Sequence, residues 1–213
     1  MFGGRNPPNP PFTKGGFSSS PPFGKGGQGG ICQPGFYGKL PELGDFVQRR
    51  LPSTFIQPWD QWLRESLASS RTQLGEQWLE VYLVSPLWRF VLTPGVVGQL
   101  AWAGVLMPSV DRVGRYFPLT IASQLDSAID CFDCFCSAED WFTRAEAVAL
   151  MGLQEGCDLA TFDAQVLALG SAQWSVGSGQ SGQFGSRWRS SSAEFCYPEL
   201  PPPAQFRVLL AGG

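Results

Sequence analysis

Histidine is absent from the 213 residues of this chain. Its absence excludes Ser-His and Cys-His nucleophilic mechanisms and every metal site that uses a histidine ligand. Lysine is scarce as well, because Lys39 is the only lysine after residue 33. We therefore predict no catalytic residue, no metal ligand and no cofactor for this chain.

The sequence also lacks an excess of basic charge. It has 15 lysines and arginines against 18 acidic residues, and Arg5, Lys14 and Lys25 lie within residues 1–33, where there is no acid. The remaining residues are therefore more acidic than the whole chain. An acidic domain is a poor binder of nucleic-acid backbones and of anionic lipid surfaces. We expect neither a nucleic-acid partner nor insertion into a membrane.

No secretory signal is visible at the N-terminus, since an apolar core followed by a cleavage site of small residues is missing. One uncharged run, residues 90–110, has the length of a membrane span. Pro94, Gly95 and Pro108 interrupt it, and a Pro-Gly pair marks a turn. The run predicts two core strands joined by a turn, in a cytoplasmic protein.

Six cysteines are present, and only Cys131, Cys134 and Cys136 are clustered. A structural zinc site needs four ligands, usually as two spaced pairs. Here the fourth would have to come from Cys157 or Cys196, neither of which belongs to a second pair. The pattern favours reduced, packed cysteines over a metal site.

The first 33 residues differ in composition from the rest, since 15 of them are glycine or proline. Such a segment buries too little apolar surface to offset its ordering entropy, so we predict a disordered tail at residues 1–33. Hydrophobic residues make up 43% of the whole chain, enough for a substantial core, and residues 34–213 are predicted to form a single domain.

Helical and strand periodicities alternate along this domain. A short helix is predicted from Asp45 to about Leu51, and a longer one from Pro58, with an apolar face formed by Trp59, Trp62, Leu63 and Leu67. Three strands follow, at residues 88–93, 101–107 and 116–122. Further helices are predicted after N-terminal caps at Ser137 and Asp158. This order predicts an α/β domain with a mixed central sheet covered by helices.

The loop between the second and third of these strands concentrates charge. Asp111, Arg112 and Arg115 surround Gly114. One interpretation is a salt bridge that stabilises the loop. The other is a recognition loop, because arginine is favoured for bidentate contacts with carboxylate or phosphate.

Asp45 has a similar pair of interpretations. Its side chain is suited to capping the predicted short helix. Arg49 and Arg50, one turn later, either form part of an exposed contact patch or pair with Asp45 and Glu42. Asp45, Arg49, Asp111, Arg112 and Arg115 are our candidate partner-binding residues.

Trp88, Arg89 and Phe90 alternate at strand period. An edge or half-exposed strand with both aromatic side chains inward explains this pattern. An exposed Trp88 would instead serve as an interface anchor.

Three stretches, residues 36–46, 85–90 and 107–120, resemble the TagF/ImpM family of type VI secretion-associated proteins in their order and spacing. The resemblance extends to about residue 210. The chain departs from the family pattern at residues 185–192, where the family has an aromatic-rich strand, and this leaves the local strand open.

The resemblance implies a three-layer α/β domain without catalytic residues. It also implies post-translational repression of the secretion system through binding to a forkhead-associated scaffold protein in the cytoplasm. Two alternatives stay open: a structural or assembly component of the apparatus, and an enzyme in which Asp45 or Asp111 faces a second acid, with or without a divalent ion. The oligomeric state and the strand order do not follow from the sequence.

Overall fold

The computed structural model describes residues 33–125, 134–171 and 185–213. All but the last residue of the predicted tail lies outside this range, and so does Cys131.

Within the described residues, seven strands form one sheet in the order β2-β1-β5-β4-β3-β6-β7. The strands are β1 (Gly35–Lys39), β2 (Phe46–Arg49), β3 (Trp88–Leu92), β4 (Trp102–Met107), β5 (Leu119–Gln124), β6 (Ser186–Arg189) and β7 (Glu194–Tyr197). Every neighbouring pair is antiparallel. The prediction of an α/β fold is confirmed, but the prediction of a mixed sheet is wrong. The continuous apolar character of β4 and β5 reflects burial of both sets of alternate side chains, which an antiparallel sheet also permits.

In the part of the chain that the structure describes, the helices are α1 (Ser53–Leu74), α2 (Trp78–Leu83), α3 (Cys134–Ser137), α4 (Glu139–Met151), α5 (Leu159–Ala168) and α6 (Phe206–Ala211), with 3₁₀ turns at Gly75–Gln77 and Pro203–Gln205. Asp158 caps α5 as predicted, because its Oδ1 accepts a hydrogen bond from the Thr161 amide at 2.7 Å. Ser137 does not occupy the N-cap position of α4. It is the last residue of α3, and the residue before α4 is Ala138.

Helix α1 begins five residues earlier than predicted, so Pro58 lies inside it. Proline inside a helix removes one backbone hydrogen bond. Phe55, one turn before Trp59, is fully buried and packs against the Trp59 ring at a centroid distance of 5.3 Å. This packing stabilises the first turn despite Pro58, since most helix stability in proteins comes from tertiary contacts.

The short helix predicted from Asp45 is instead strand β2, in which Phe46 pairs with Lys39 of β1. Pairing with β1 gives the backbone of this segment hydrogen-bond partners that an isolated helical turn would lack. The edge-strand interpretation of β3 is also wrong, because β3 lies between β4 and β6. The predicted inward placement of Trp88 and Phe90 is confirmed, since both side chains are buried, and this excludes an exposed Trp88 as an interface anchor.

Side chains that alternate along β4 enter two different hydrophobic clusters. Ala103, Val105 and Met107 belong to a cluster that includes residues of α4 and α5. Trp102 and Leu106 belong to a second cluster that includes residues of α1, α2 and α6. Because successive side chains on a strand point to opposite faces, both faces of β4 are buried.

The C-terminal strands contribute to the second cluster. Trp188 of β6 is fully buried, and its ring lies 5.5 Å from Phe90 and 5.4 Å from Trp62 between centroids. The segment where the sequence departs from the family pattern therefore does form a strand, anchored by this tryptophan.

Candidate partner-binding surface

The 108–118 loop connects β4 to β5 and contains most of the predicted site residues. It folds back on itself through an isolated bridge between Val110 and Tyr116. Inside this bridge, the Asp111 amide donates to the Arg115 carbonyl at 3.1 Å. Gly114 sits at the tip with a φ of 83°, a conformation that favours glycine. The loop is thus a small, hydrogen-bonded turn.

The Asp111 carboxylate organises this turn from the inside. Its Oδ1 accepts hydrogen bonds from the amides of Val113, at 3.0 Å, and Arg115, at 2.8 Å. Its Oδ2 accepts one from Lys39 Nζ and one from Arg115 Nε, the latter at 2.7 Å. The side chain of Asp111 is fully buried and that of Lys39 is 4% exposed.

Burial acts to raise the pKa of Asp111, because it disfavours the charged form. The hydrogen bonds from Lys39 and Arg115, together with that from the Val113 amide, outweigh burial and hold the pKa well below its usual range. Asp111 is therefore a carboxylate at neutral pH, and it neutralises the ammonium group of Lys39.

Lys39 is the last residue of β1, and it joins this strand to the loop in a second way. Its carbonyl accepts a hydrogen bond from Ser109 Oγ at 2.8 Å. The preceding residue, Gly38, has a φ of 141°, and a Cβ added there would lie 2.2 Å from the carbonyl oxygen of Pro118. Only glycine allows β1 to approach the end of the loop this closely.

Tyr82 of α2 fixes the other side of the loop. Its buried hydroxyl donates to the Ser109 carbonyl at 2.9 Å and accepts from the Ser109 amide at 3.1 Å. Burial raises the pKa of this tyrosine. The start of the loop is therefore held by β1 on one side and by α2 on the other.

The loop also contacts the turn between β1 and β2. The Arg112 amide donates to the Leu43 carbonyl at 3.0 Å, and the Arg115 guanidinium donates to the Gly44 carbonyl. Asp45, which follows Gly44, is exposed, and its Oδ1 accepts from the Phe46 amide at 2.8 Å. The two turns thus form one continuous surface.

We call this the two-turn surface, and its exposed side chains are those of Asp45, Phe46, Arg112, Val113 and Arg115. The side chain of Arg115 is 56% exposed, and Val113 is 63% exposed. The salt-bridge interpretation of the loop charges is therefore confirmed, because Arg115 pairs with Asp111. The guanidinium of Arg115 is also partly exposed, and the recognition interpretation stays a prediction.

Arg49 and Arg50 lie apart from these contacts. Arg49, at the end of β2, is exposed, and its Nη1 donates to the Gln48 carbonyl at 2.9 Å. Arg50 forms an ion pair with Asp163 of α5 at 2.6 Å, so its expected pairing with Asp45 or Glu42 is replaced by this one. Glu42 instead accepts a hydrogen bond from the backbone amide of residue 156 at 3.1 Å.

A groove of about 570 Å³ adjoins the two-turn surface. It is lined by Arg71, Trp78, Leu79, Gly114, Arg115 and Tyr116. The sequence predicted no role for the three residues from α1 and α2, because their proximity to the loop depends on the tertiary fold. The partner of Asp111 was missed too, although Lys39 is unusual as the one lysine in an otherwise apolar strand.

Across residues 33–125, 134–171 and 185–213, no group of three or more potential metal-ligating side chains is arranged to hold a metal ion. Cys136 and Cys196 are exposed and Cys157 is buried. The described helices include none that is both long and apolar enough to cross a membrane.

Residues 35–169 match the family model described as the TagF N-terminal domain, type VI secretion system-associated. The chain belongs to this TagF family. The match includes β1, β2, the 108–118 loop and the helices that line the groove, so the resemblance predicted from the sequence is confirmed.

Among solved structures, the chain is similar to PA0076 from Pseudomonas aeruginosa PAO1. The two sequences are 35% identical, the TM-score is 0.78, and the alignment covers 85% of this chain and 95% of that one. No curated protein sequence matches the chain. The alignment with this structure covers a larger share of the chain than the family-model match over residues 35–169.

Proposed function

We propose that this TagF-family chain represses the type VI secretion system post-translationally by binding a forkhead-associated scaffold protein in the cytoplasm. The observation that carries the proposal is membership of the TagF family, whose description associates it with this secretion system. ImpM proteins, grouped with TagF in the sequence resemblance, are expected to share this role.

The two-turn surface is the proposed contact. Its exposed arginines, Arg112 and Arg115, are attached to a loop whose backbone is fixed by the buried Lys39–Asp111 ion pair. A surface that is ordered before binding loses less conformational entropy when a partner binds. The fixed backbone favours a recognition role for the loop, in which the buried Asp111 positions the loop without contacting the partner.

We propose further that the chain acts by binding and not by catalysis. The environment of Asp111 supports this, because both of its oxygens are engaged by two amides, Lys39 and Arg115. A carboxylate with so many donors and a lowered pKa is a weak general base.

We also propose that the domain has three layers. The residues of the two hydrophobic clusters support this arrangement, with α4 and α5 on one face of the sheet and α1, α2 and α6 on the other.

Deletion of the gene in its native host tests the proposed role. Repression predicts increased secretion of type VI substrates, and restoration of repression by the full chain. An assembly component predicts the reverse, a loss of secretion on deletion, and that result would refute repression. Arg112→Glu is the matched variant: if it accumulates to the wild-type level, it should fail to restore repression.

A further inference from the structure

The groove beside the two-turn surface contains an arginine that is held in place by an aromatic ring. The guanidinium carbon of Arg71, at the end of α1, lies 4.2 Å from the centroid of the Trp78 ring. The indole Nε1 of Trp78 donates to Ser70 Oγ at 2.9 Å, and the side chain is buried. The ring is therefore a fixed platform, and stacking on it orients the guanidinium.

The hydrogen-bonding groups of Arg71 remain available. Within the described part of the chain, its guanidinium forms no ion pair and no side-chain hydrogen bond. Arg115, on the other wall, is different, because its Nε and one terminal nitrogen already donate to Asp111 and to the Gly44 carbonyl. In the groove, the guanidinium of Arg71 can therefore donate two parallel hydrogen bonds to a ligand, whereas Arg115 contributes mainly its positive charge.

The rest of the lining is mainly apolar. Leu79 is 40% exposed although it is a large hydrophobic residue, and Tyr116 is half-buried with its ring 5.8 Å from that of Trp78. None of the described lining residues is acidic. A cationic groove with apolar walls therefore lies on a domain whose net charge is negative, and the complementary ligand is an anion with an apolar neighbour.

We propose that this groove binds an acidic peptide segment of a protein partner. A glutamate or aspartate carboxylate of the segment pairs with Arg71, and an adjacent apolar side chain packs on Leu79 and Tyr116. A carboxylate matches the groove better than a dianionic phosphate, because only Arg71 has a complete fork. The proposal rests on the proposed function for its assumption that a protein partner docks at the neighbouring surface.

Isothermal titration calorimetry of the full chain with blocked peptides tests this proposal. The probe is a hexapeptide with one phenylalanine flanked by glutamates. The comparison peptides replace glutamate by glutamine or by phosphoserine. We expect saturable binding of the glutamate peptide, at least about tenfold weaker binding of the glutamine peptide, and no tighter binding of the phosphoserine peptide.

Variants locate the binding site. Arg71→Gln should weaken binding of the glutamate peptide by about tenfold or more, because a charged hydrogen-bonded pair is lost. Arg207→Gln, which removes an exposed arginine outside the groove, should bind as the wild type does. Saturable binding that is unchanged by Arg71→Gln, equal binding of the glutamine peptide, tighter binding of the phosphoserine peptide, or no binding at about 1 mM peptide would each overturn the proposal.

The outcomes of this test distinguish a failure of the groove proposal from a failure of the proposed function. If the peptide binds through Arg71 and the forkhead-associated scaffold does not bind, the groove is an acidic-peptide site for a different partner. If the scaffold binds and Arg71→Gln changes neither interaction, the groove inference is wrong while the proposed function stands.

Discussion

Lys39 and Asp111 form an ion pair whose two side chains are almost entirely buried. The pair joins the end of β1 to the loop between β4 and β5, across a separation of 72 residues in the sequence. Charges are rarely buried without partners, because removing them from water is costly. This pair therefore links the folding of the domain to the conformation of its candidate recognition loop.

Replacement of Asp111 by asparagine should destabilise the protein more than replacement of Lys39 by methionine. Asp111→Asn leaves the buried Lys39 ammonium without its carboxylate, whereas Lys39→Met leaves Asp111 with Arg115 and two backbone amides. Urea unfolding gives the comparison. Asp45→Asn, at an exposed aspartate in the neighbouring turn, is the control and should change stability little. Equal destabilisation by all three substitutions would contradict this account.

Stability should depend on pH through Asp111. The lowered pKa means that the unfolded chain binds a proton here at a higher pH than the folded chain does. The stabilisation is present above about pH 4, the ordinary pKa of aspartate, and is lost as the pH falls from there through the lowered pKa.

We expect the difference in unfolding free energy between wild type and Asp111→Asn to shrink as the pH falls below about 4. Urea titrations over this range measure it. Other carboxylates with lowered pKa, such as Glu139 and Glu194, contribute equally to both proteins and cancel in the difference. A difference that stays constant with pH would show that Asp111 titrates normally.

Tyr82→Phe should destabilise the fold by about 1–3 kcal/mol, because the backbone amide and carbonyl of Ser109 lose their buried partner. The raised pKa of Tyr82 adds a pH signature. Its contribution is complete below about pH 10 and is lost as the pH rises from there towards the raised pKa. The phenylalanine variant should therefore lose less stability than the wild type between neutral and alkaline pH, and an equal loss would contradict the assignment.

Trp188→Ala should cost about 3–5 kcal/mol, the range for removing a buried aromatic side chain. Trp188 is fully buried against Trp59, Trp62 and Phe90, although it lies after the segment that matches the family model. Arg207→Ala on α6 provides an exposed control. Wild-type stability of Trp188→Ala in urea would show that β6 is not integral to the core.

The elements predicted best from the sequence were those with strong periodicity and tertiary burial. The apolar face of α1 and the strands β3 and β4 were predicted closely, because Trp59, Trp62 and the alternating residues of these strands occupy the core. The start of α1 was not predicted correctly. A proline within a helix is tolerated only where packing compensates for it, and packing is a property of the fold. The sequence predicted a helix where β2 forms, because the pairing of β2 with β1 is likewise a property of the fold.

The candidate site was predicted only in part. The cluster of Asp111, Arg112 and Arg115 is local in sequence, so the loop stood out. Lys39, Tyr82 and Arg71 reach the same region through contacts between distant segments, and a single sequence carries no signal that joins them. Asp111 was a candidate partner-binding residue, and the structure buries its side chain, where it contacts Lys39 and Arg115.

The most direct test of the account is the affinity of the full chain for the purified forkhead-associated scaffold, measured by isothermal titration calorimetry with wild type and Arg112→Glu. Arg112 is exposed, and its fixed contact to Leu43 is made by its backbone amide, so the substitution should leave the fold intact. The account predicts saturable binding by the wild type and at least about tenfold weaker binding by Arg112→Glu, with equal thermal stability. Absence of binding by the folded wild-type chain would contradict the proposed function, and undiminished binding by Arg112→Glu would contradict the proposed contact.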